Sequence, residues 1–153
     1  MMSHTRRLMV QRTRDQRGAT LVEAALSVML IFLLLGGAFD LGRAFNNYVI
    51  VANAAREGAR YASFYPWNLT GILSATKLEA AGSDVTLADG HIVIDPRPPA
   101  GAQPGDPGVA QPGQSISVEV QYPFQTFFAS VTGLGNLTLR SRTKMVVFGA
   151  DLP

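Results

Sequence analysis

The chain has 153 residues, no cysteine and a formal net charge of +2. That length holds one modest domain beside an anchor, and the lack of cysteine excludes disulfides and thiol chemistry. The positive balance is confined to the first 18 residues, so no basic stripe remains for binding nucleic acid.

Residues 1–18 carry Arg6, Arg7, Arg12, Arg14 and Arg17 against Asp15 alone, whereas residues 19–153 are slightly acidic. The basic stretch leads into Ala19–Phe39, ATLVEAALSVMLIFLLLGGAF, in which Glu23 is the one charged residue. A bilayer core takes about 20 apolar residues at a rise of about 1.5 Å each, so this stretch is long enough to span. Arginines before it and Asp40 after it predict a cytoplasmic N-terminus and export of the remainder. A buried core helix of this length would show a polar face, and none is present. A cleaved signal peptide needs a small-x-small site after the apolar run, but Asp40-Leu41-Gly42-Arg43 follows. Thr5-Arg6-Arg7-Leu8 weakly suggests a twin-arginine signal, yet further charges precede the apolar run.

Glu23 is costly in lipid, about 2.5–3.5 kcal/mol at the bilayer centre and less near its edge. It can reach the headgroups alone, or it can have a partner. Its setting, Arg17-Gly18 and then Ala19-Thr20-Leu21-Val22-Glu23, resembles a class III, prepilin-type leader. The resemblance implies cleavage between Gly18 and Ala19 by a membrane aspartyl peptidase on the cytoplasmic side. Ala19 would become the N-terminus, the apolar helix would be retained, and no cofactor would be involved. Glu23 of one subunit could then pair with the Ala19 ammonium of a neighbour, because opposite charges attract strongly where water is excluded. That pairing would set subunit register.

From Asp40 to Phe64 no proline occurs, and Leu41, Phe45, Tyr48, Val49, Ala52, Ala55, Ala59 and Ala62 recur at helical spacing. The spacing predicts an amphipathic helix continuous with the span and ended by Pro66. Glu57 and Arg60 are spaced to pair at i, i+3. The small residues Ala52, Ala55, Gly58 and Ala59 permit close helix packing, on a neighbour or on the chain's own domain. The runs Gly18–Leu26, Leu41-Gly42-Arg43-Ala44 and Asn53–Ala62 (NAAREGARYA) together resemble the TadE-like pseudopilin family. The resemblance covers about residues 17–63. It implies a minor pilin or pseudopilin of the tight-adherence (Tad, type IVc) pilus machinery. Its partners would be the bacterial inner membrane, a prepilin peptidase, other pilins and the assembly platform. The major pilins of that system resemble a short chain with Glu-Tyr at the cleavage motif, whereas Ala24 follows Glu23 in this longer chain.

Beyond the helix, Thr70–Ala81 reads as a second, short helix stopped by Gly82. Asp84–Ala88 and His91–Asp95 flank Asp89-Gly90, the signal of a two-residue hairpin. The Pro/Gly-rich stretch 96–114 predicts a long mobile loop. Ser115–Tyr122 alternates as a strand with Ile116, Val118, Val120 and Tyr122 on one face, and Pro123 is expected to end it. Phe124–Val131 reads as a short apolar helix or turn. Asn136–Phe148 reads as a last strand with Leu137 and Leu139 inward and Arg140 and Arg142 outward.

The expected fold is α+β: a long transmembrane and amphipathic helix, then a small antiparallel sheet of three or four strands with one or two short helices. The expected division is a leader at 1–18, a span at 19–39, a helical extension at 40–65 and an exported domain at 66–153. His4 and His91 stand alone, and Asp84, Asp89 and Asp95 lack calcium-loop spacing. Gly133-Leu134-Gly135 lacks the rest of a phosphate loop. No catalytic constellation, metal site or small-molecule substrate is predicted, and the chain reads as a structural protein. The alternative is a single-pass envelope binding module that keeps its leader.

Overall fold

The computed structural model describes residues 4–127 and 136–148, with side chains described for 18–127 and 137–148. The elements are helix α1 (His4–Phe64), helix α2 (Leu69–Ala80) and strands β1 (Ile92–Asp95), β2 (Ser115–Gln125) and β3 (Asn136–Val146). The chain divides into two compact units, Met1–Asp40 and Leu41–Pro153. The architecture is α+β, as its sequence pattern predicts.

The first unit is helical over its described residues. The second unit is built on the antiparallel sheet β1-β2-β3. β2 is the central strand: Ile94 faces Val118 in β1's ladder, and Val118 faces Thr143 in that of β3. Alternation along β2 turns Ile116, Val118, Val120 and Phe124 inward, and all four are buried. The part of α1 from Leu41 onward covers that face. Arg43 lies against Phe124. Val51, Ala54 and Ala55 pack with Val120, and Ala59 and Ala62 pack with Ile116 and Val118. Helix and strand therefore run in opposite directions with matched lengths. Nineteen helical steps from Arg43 to Ala62 rise about 28 Å, and eight strand steps from Ile116 to Phe124 rise about 27 Å.

Small residues on α1 bring the layers close. Gly58 sits where α1 crosses α2: a Cβ there would run into Thr76 Oγ1 and approach Val118 Cγ1 to 3.2 Å. Thr76 is buried, and its hydroxyl donates to the Ile72 carbonyl at 2.8 Å. Ile72 of α2 completes the cluster with Ile92, Ile94 and Val147. Burial of such aliphatic side chains contributes about 1.5–3 kcal/mol each.

The end of α1 is tied down by its surroundings. The Phe148 N–H donates to the Ser63 carbonyl at 2.9 Å, and the Phe64 and Phe148 rings stack with centroids 5.2 Å apart. One carbonyl left over at the helix end is thereby satisfied. Pro66 follows after one further residue, as expected of a helix stop. Asn68 caps α2: its Oδ1 accepts from the Gly71 N–H at 2.9 Å, and its Nδ2 donates to the Tyr61 hydroxyl at 3.0 Å. The helix predicted over 70–81 begins one residue earlier, because the cap at Asn68 sets its start.

Three expectations are corrected. The hairpin at Asp89-Gly90 does not form, because β1 pairs with β2 and not with 84–88. A type I′ turn requires positive φ at both central residues, and neither Asp89 nor Gly90 has it. These residues instead make a 3-10 turn over Asp89–His91. The His91 N–H donates to the Ala88 carbonyl at 3.0 Å, while the Ala88 N–H donates to His91 Nδ1 at 3.2 Å. Lys77 of α2 pairs with Asp89. Val85 and Leu87 are buried with Ala54, Ala55 and Ala80 without joining a ladder.

Pro123 does not end β2, which continues to Gln125 and holds Phe124 in the strand, not in a helix or turn. β1 reaches only to Val120, so a missing N–H at Pro123 forfeits no bond to it. Residues 128–131 of the segment predicted as helix or turn lie outside the described residues. The loop expected to be mobile is packed: Pro98, Ala102, Val109 and Ala110 are buried. The Gly113 N–H and the Val147 carbonyl also bond at 3.0 Å. Leu137 keeps its inward parity opposite Phe124 but is 44% exposed, while Leu139 is half-buried.

Candidate functional site

The residues singled out for cleavage and registration lie in the first unit, on α1. Gly18, Ala19 and Glu23 are exposed and helical. Nothing stands within 4 Å of the position a Cβ would take at Gly18. Glycine is the poorest helix former after proline, by about 1 kcal/mol against alanine. Gly18 therefore lowers the intrinsic stability of the helix where the basic stretch meets the apolar run. From Leu21 to Leu35 every large apolar side chain is at least 37% exposed. A soluble core helix buries such residues, whereas this one presents them on all sides. The stretch is long and apolar enough to cross a membrane, which suggests a membrane anchor.

The small residues singled out for packing lie in the second unit. Ala55, Gly58 and Ala59 are buried against the chain's own sheet and α2, and Ala52 is half-buried. Within this unit α1 thus carries two apolar faces. One, through Val51, Ala54, Ala55 and Ala59, is consumed by the domain. The other, through Leu41, Phe45, Tyr48 and Val49, is exposed at 42–71%. The sequence showed a single series of apolar positions; only burial separates the two.

On the polar side of α1, Arg60 Nε donates to Glu57 Oε2 at 2.8 Å, and Asn53 Oδ1 accepts from Arg56 Nη1 at 2.9 Å. The hydrogen bond from Arg60 and its positive charge hold the Glu57 carboxyl below the usual carboxylate range, against a small opposing effect of burial. Arg60 is shifted up by the same contact. The sequence spacing foresaw this pair. It did not foresee Arg43, whose guanidinium carbon lies 4.3 Å from the Phe127 ring centroid and 5.3 Å from that of Phe124. Two shallow hollows flank α2, of about 480 and 390 Å³. Leu78 lines both and is 73% exposed. Among the described residues no group of three His, Cys, Asp or Glu is placed to hold a metal ion.

Neither the curated proteins nor the solved structures contain a match to this chain. The model of the TadE-like protein family matches residues 18–60. That match starts at Gly18 and ends at Arg60, covering the apolar helix and most of its amphipathic continuation. Gly18, Ala19, Glu23 and the small residues Ala52, Ala55, Gly58 and Ala59 all lie within that match, and the likeness to the TadE-like family is the one their sequence led us to expect.

Proposed function

We propose that the protein is a minor pilin or pseudopilin of a Tad (type IVc) pilus or related secretion apparatus. It is made with a basic cytoplasmic leader, cut after Gly18 by a prepilin peptidase, and assembled through the helix that begins at Ala19. The folded domain from Leu41 onward is exported from the bacterial inner membrane. Its role is structural, not catalytic. Glu23 pairs with the Ala19 ammonium of a neighbouring subunit and fixes the axial register. Where α1 meets other pilins, Ala52 is the small residue its own domain leaves half open.

The observation that carries this reading is the TadE-like match beginning at Gly18, on a helix whose apolar side chains are exposed. The N-terminal residue of the mature protein tests it. In cells with an active prepilin peptidase, mass spectrometry should find Ala19 as the first residue. Gly18→Leu should leave the full-length form. A mature chain that retains residues 1–18 would instead indicate an uncleaved, anchored binding module.

A further inference from the structure

We propose that the open edge of β3 takes up an extended acidic segment of another protein as a fourth strand, paired to the backbone of Thr138 to Val146 and selected by Arg140 and Lys144. The proposal concerns the second unit alone and does not depend on cleavage after Gly18 or on Glu23.

Backbone direction is the first support. β3 is an end strand of the sheet and is 11 residues long, and among the described residues no strand lies on its far side. The Val147 N–H donates to the Gln114 carbonyl at 2.8 Å, on the side of β2. The N–H of the next residue, Phe148, points the other way, to the Ser63 carbonyl at 2.9 Å. Backbone groups alternate sides in this manner along an antiparallel strand. The register with β2 is unbroken from Val146 to Asn136. Thr138, Arg140, Arg142, Lys144 and Val146 therefore turn their N–H and C=O groups away from β2. A row of this kind is a template for a further strand.

Side-chain charge is the second. The same residues set Arg140, Arg142 and Lys144 on the outer face of the sheet, about 6.8 Å apart along the strand. All three are exposed. Arg142 Nε pairs with Glu119 Oε2 at 3.2 Å, and Glu119 Oε1 accepts from Gln121 Nε2 at 2.8 Å, so that carboxylate is taken up within the sheet. Arg140 and Lys144 stand opposite uncharged Gln121 and Ser117.

The third is the choice of partner. Two copies of β3 laid antiparallel about Arg142 would set Arg140 of each against Lys144 of the other. Laid parallel in register, they would set each cation against itself. Like charges directly opposite destabilise a sheet, so this edge rejects its own kind. A strand with carboxylates at alternate positions meets both cations instead. On the inner face Leu139 and Met145 are half-buried and Leu137 is 44% exposed, so that face stays partly open along β3. β-branched or apolar residues between the acids would cover it.

The probe is a fluorophore-labelled peptide of alternating threonine and glutamate, as long as β3, added to the full-length protein in detergent. We expect it to bind and to slow amide hydrogen exchange at Arg140, Arg142 and Lys144. A cross-strand ion pair contributes up to about fivefold, so Arg140→Glu with Lys144→Glu should weaken binding by about tenfold or more. An unchanged melting temperature shows that this variant is folded. The matching peptide of threonine and lysine should fail on the wild type and gain affinity for the reversed variant. Absence of binding by the glutamate peptide overturns the proposal. So does binding that leaves those amides exchanging as before, which marks a loose ionic contact without strand pairing. Slowed exchange that grows with protein concentration in the absence of peptide also overturns it, because a second copy would then occupy the edge.

Discussion

Gly58 shows how one residue can be set by its neighbours against its own propensity. Alanine is the better helix former by about 1 kcal/mol, so an isolated helix would gain from Gly58→Ala. Here the added methyl group meets Thr76 and Val118, both buried. Overpacking of this kind costs about 1–3 kcal/mol. The full-length protein in detergent should therefore lose thermal stability on Gly58→Ala, and lose more on Gly58→Val. An unchanged or raised melting temperature would show that α1 and α2 do not meet closely at this point. The Glu57–Arg60 pair makes a different prediction at the same scale. The Glu57 carboxyl titrates below its usual range in the folded protein because Arg60 donates to it. Its contribution is thus fully present above the ordinary carboxylate pKa and is lost as pH falls through the lowered one. The effect is small for an exposed helical pair. Comparing wild type with Glu57→Gln, the difference in melting temperature should be measurable near neutral pH and vanish in strong acid.

At the scale of elements, β2 depends on a match of lengths. The strand must run past Pro123 to bring Phe124 beneath Arg43, because the helix lying on it is equally long. Phe124 is 1% exposed, and Phe124→Ala should cost about 3–5 kcal/mol. Pro123 is exposed and lies beyond the reach of β1, so Pro123→Thr should change stability by less than about 0.5 kcal/mol. Chemical denaturation of the two variants side by side checks the ordering. Read alone, a proline after an alternating run signals an end, since it cannot donate to a ladder. The sequence does not reveal that the neighbouring strand has already stopped. The failed hairpin has the same origin. Asp89-Gly90 permits a tight turn, but Val85 and Leu87 gain more by packing under α1 than by pairing with β1. Elements with strong local periodicity were legible: α1, α2, the start of β2 and most of β3. Elements whose state depends on a distant partner were not.

At the scale of the molecule, the proposed assembly rests on Glu23. Glu23→Ala should leave the proposed cleavage after Gly18 intact, because that cut falls before the apolar run in which Glu23 lies. It should deplete the protein from sheared pilus fractions while keeping it in membranes, as immunoblots of the two fractions would show. Equal recovery in the pili would remove Glu23 from registration. The residues proposed for cleavage and registration can be singled out in the sequence because they lie within a few positions of one another, and charge, glycine and apolar run are local features. The same local features carry, from the sequence by itself, the expectation of a leader and a span and the likeness to the TadE-like family matched at residues 18–60, since each is a matter of composition and spacing along the chain. Tertiary structure alone decided which apolar face of α1 is spent on the chain's own sheet and which stays exposed. It also decided that Arg43 meets Phe127. A 3.6-residue period tells which residues share a helix face, but the neighbour that covers the face is fixed by strand register and by segments far away in the chain.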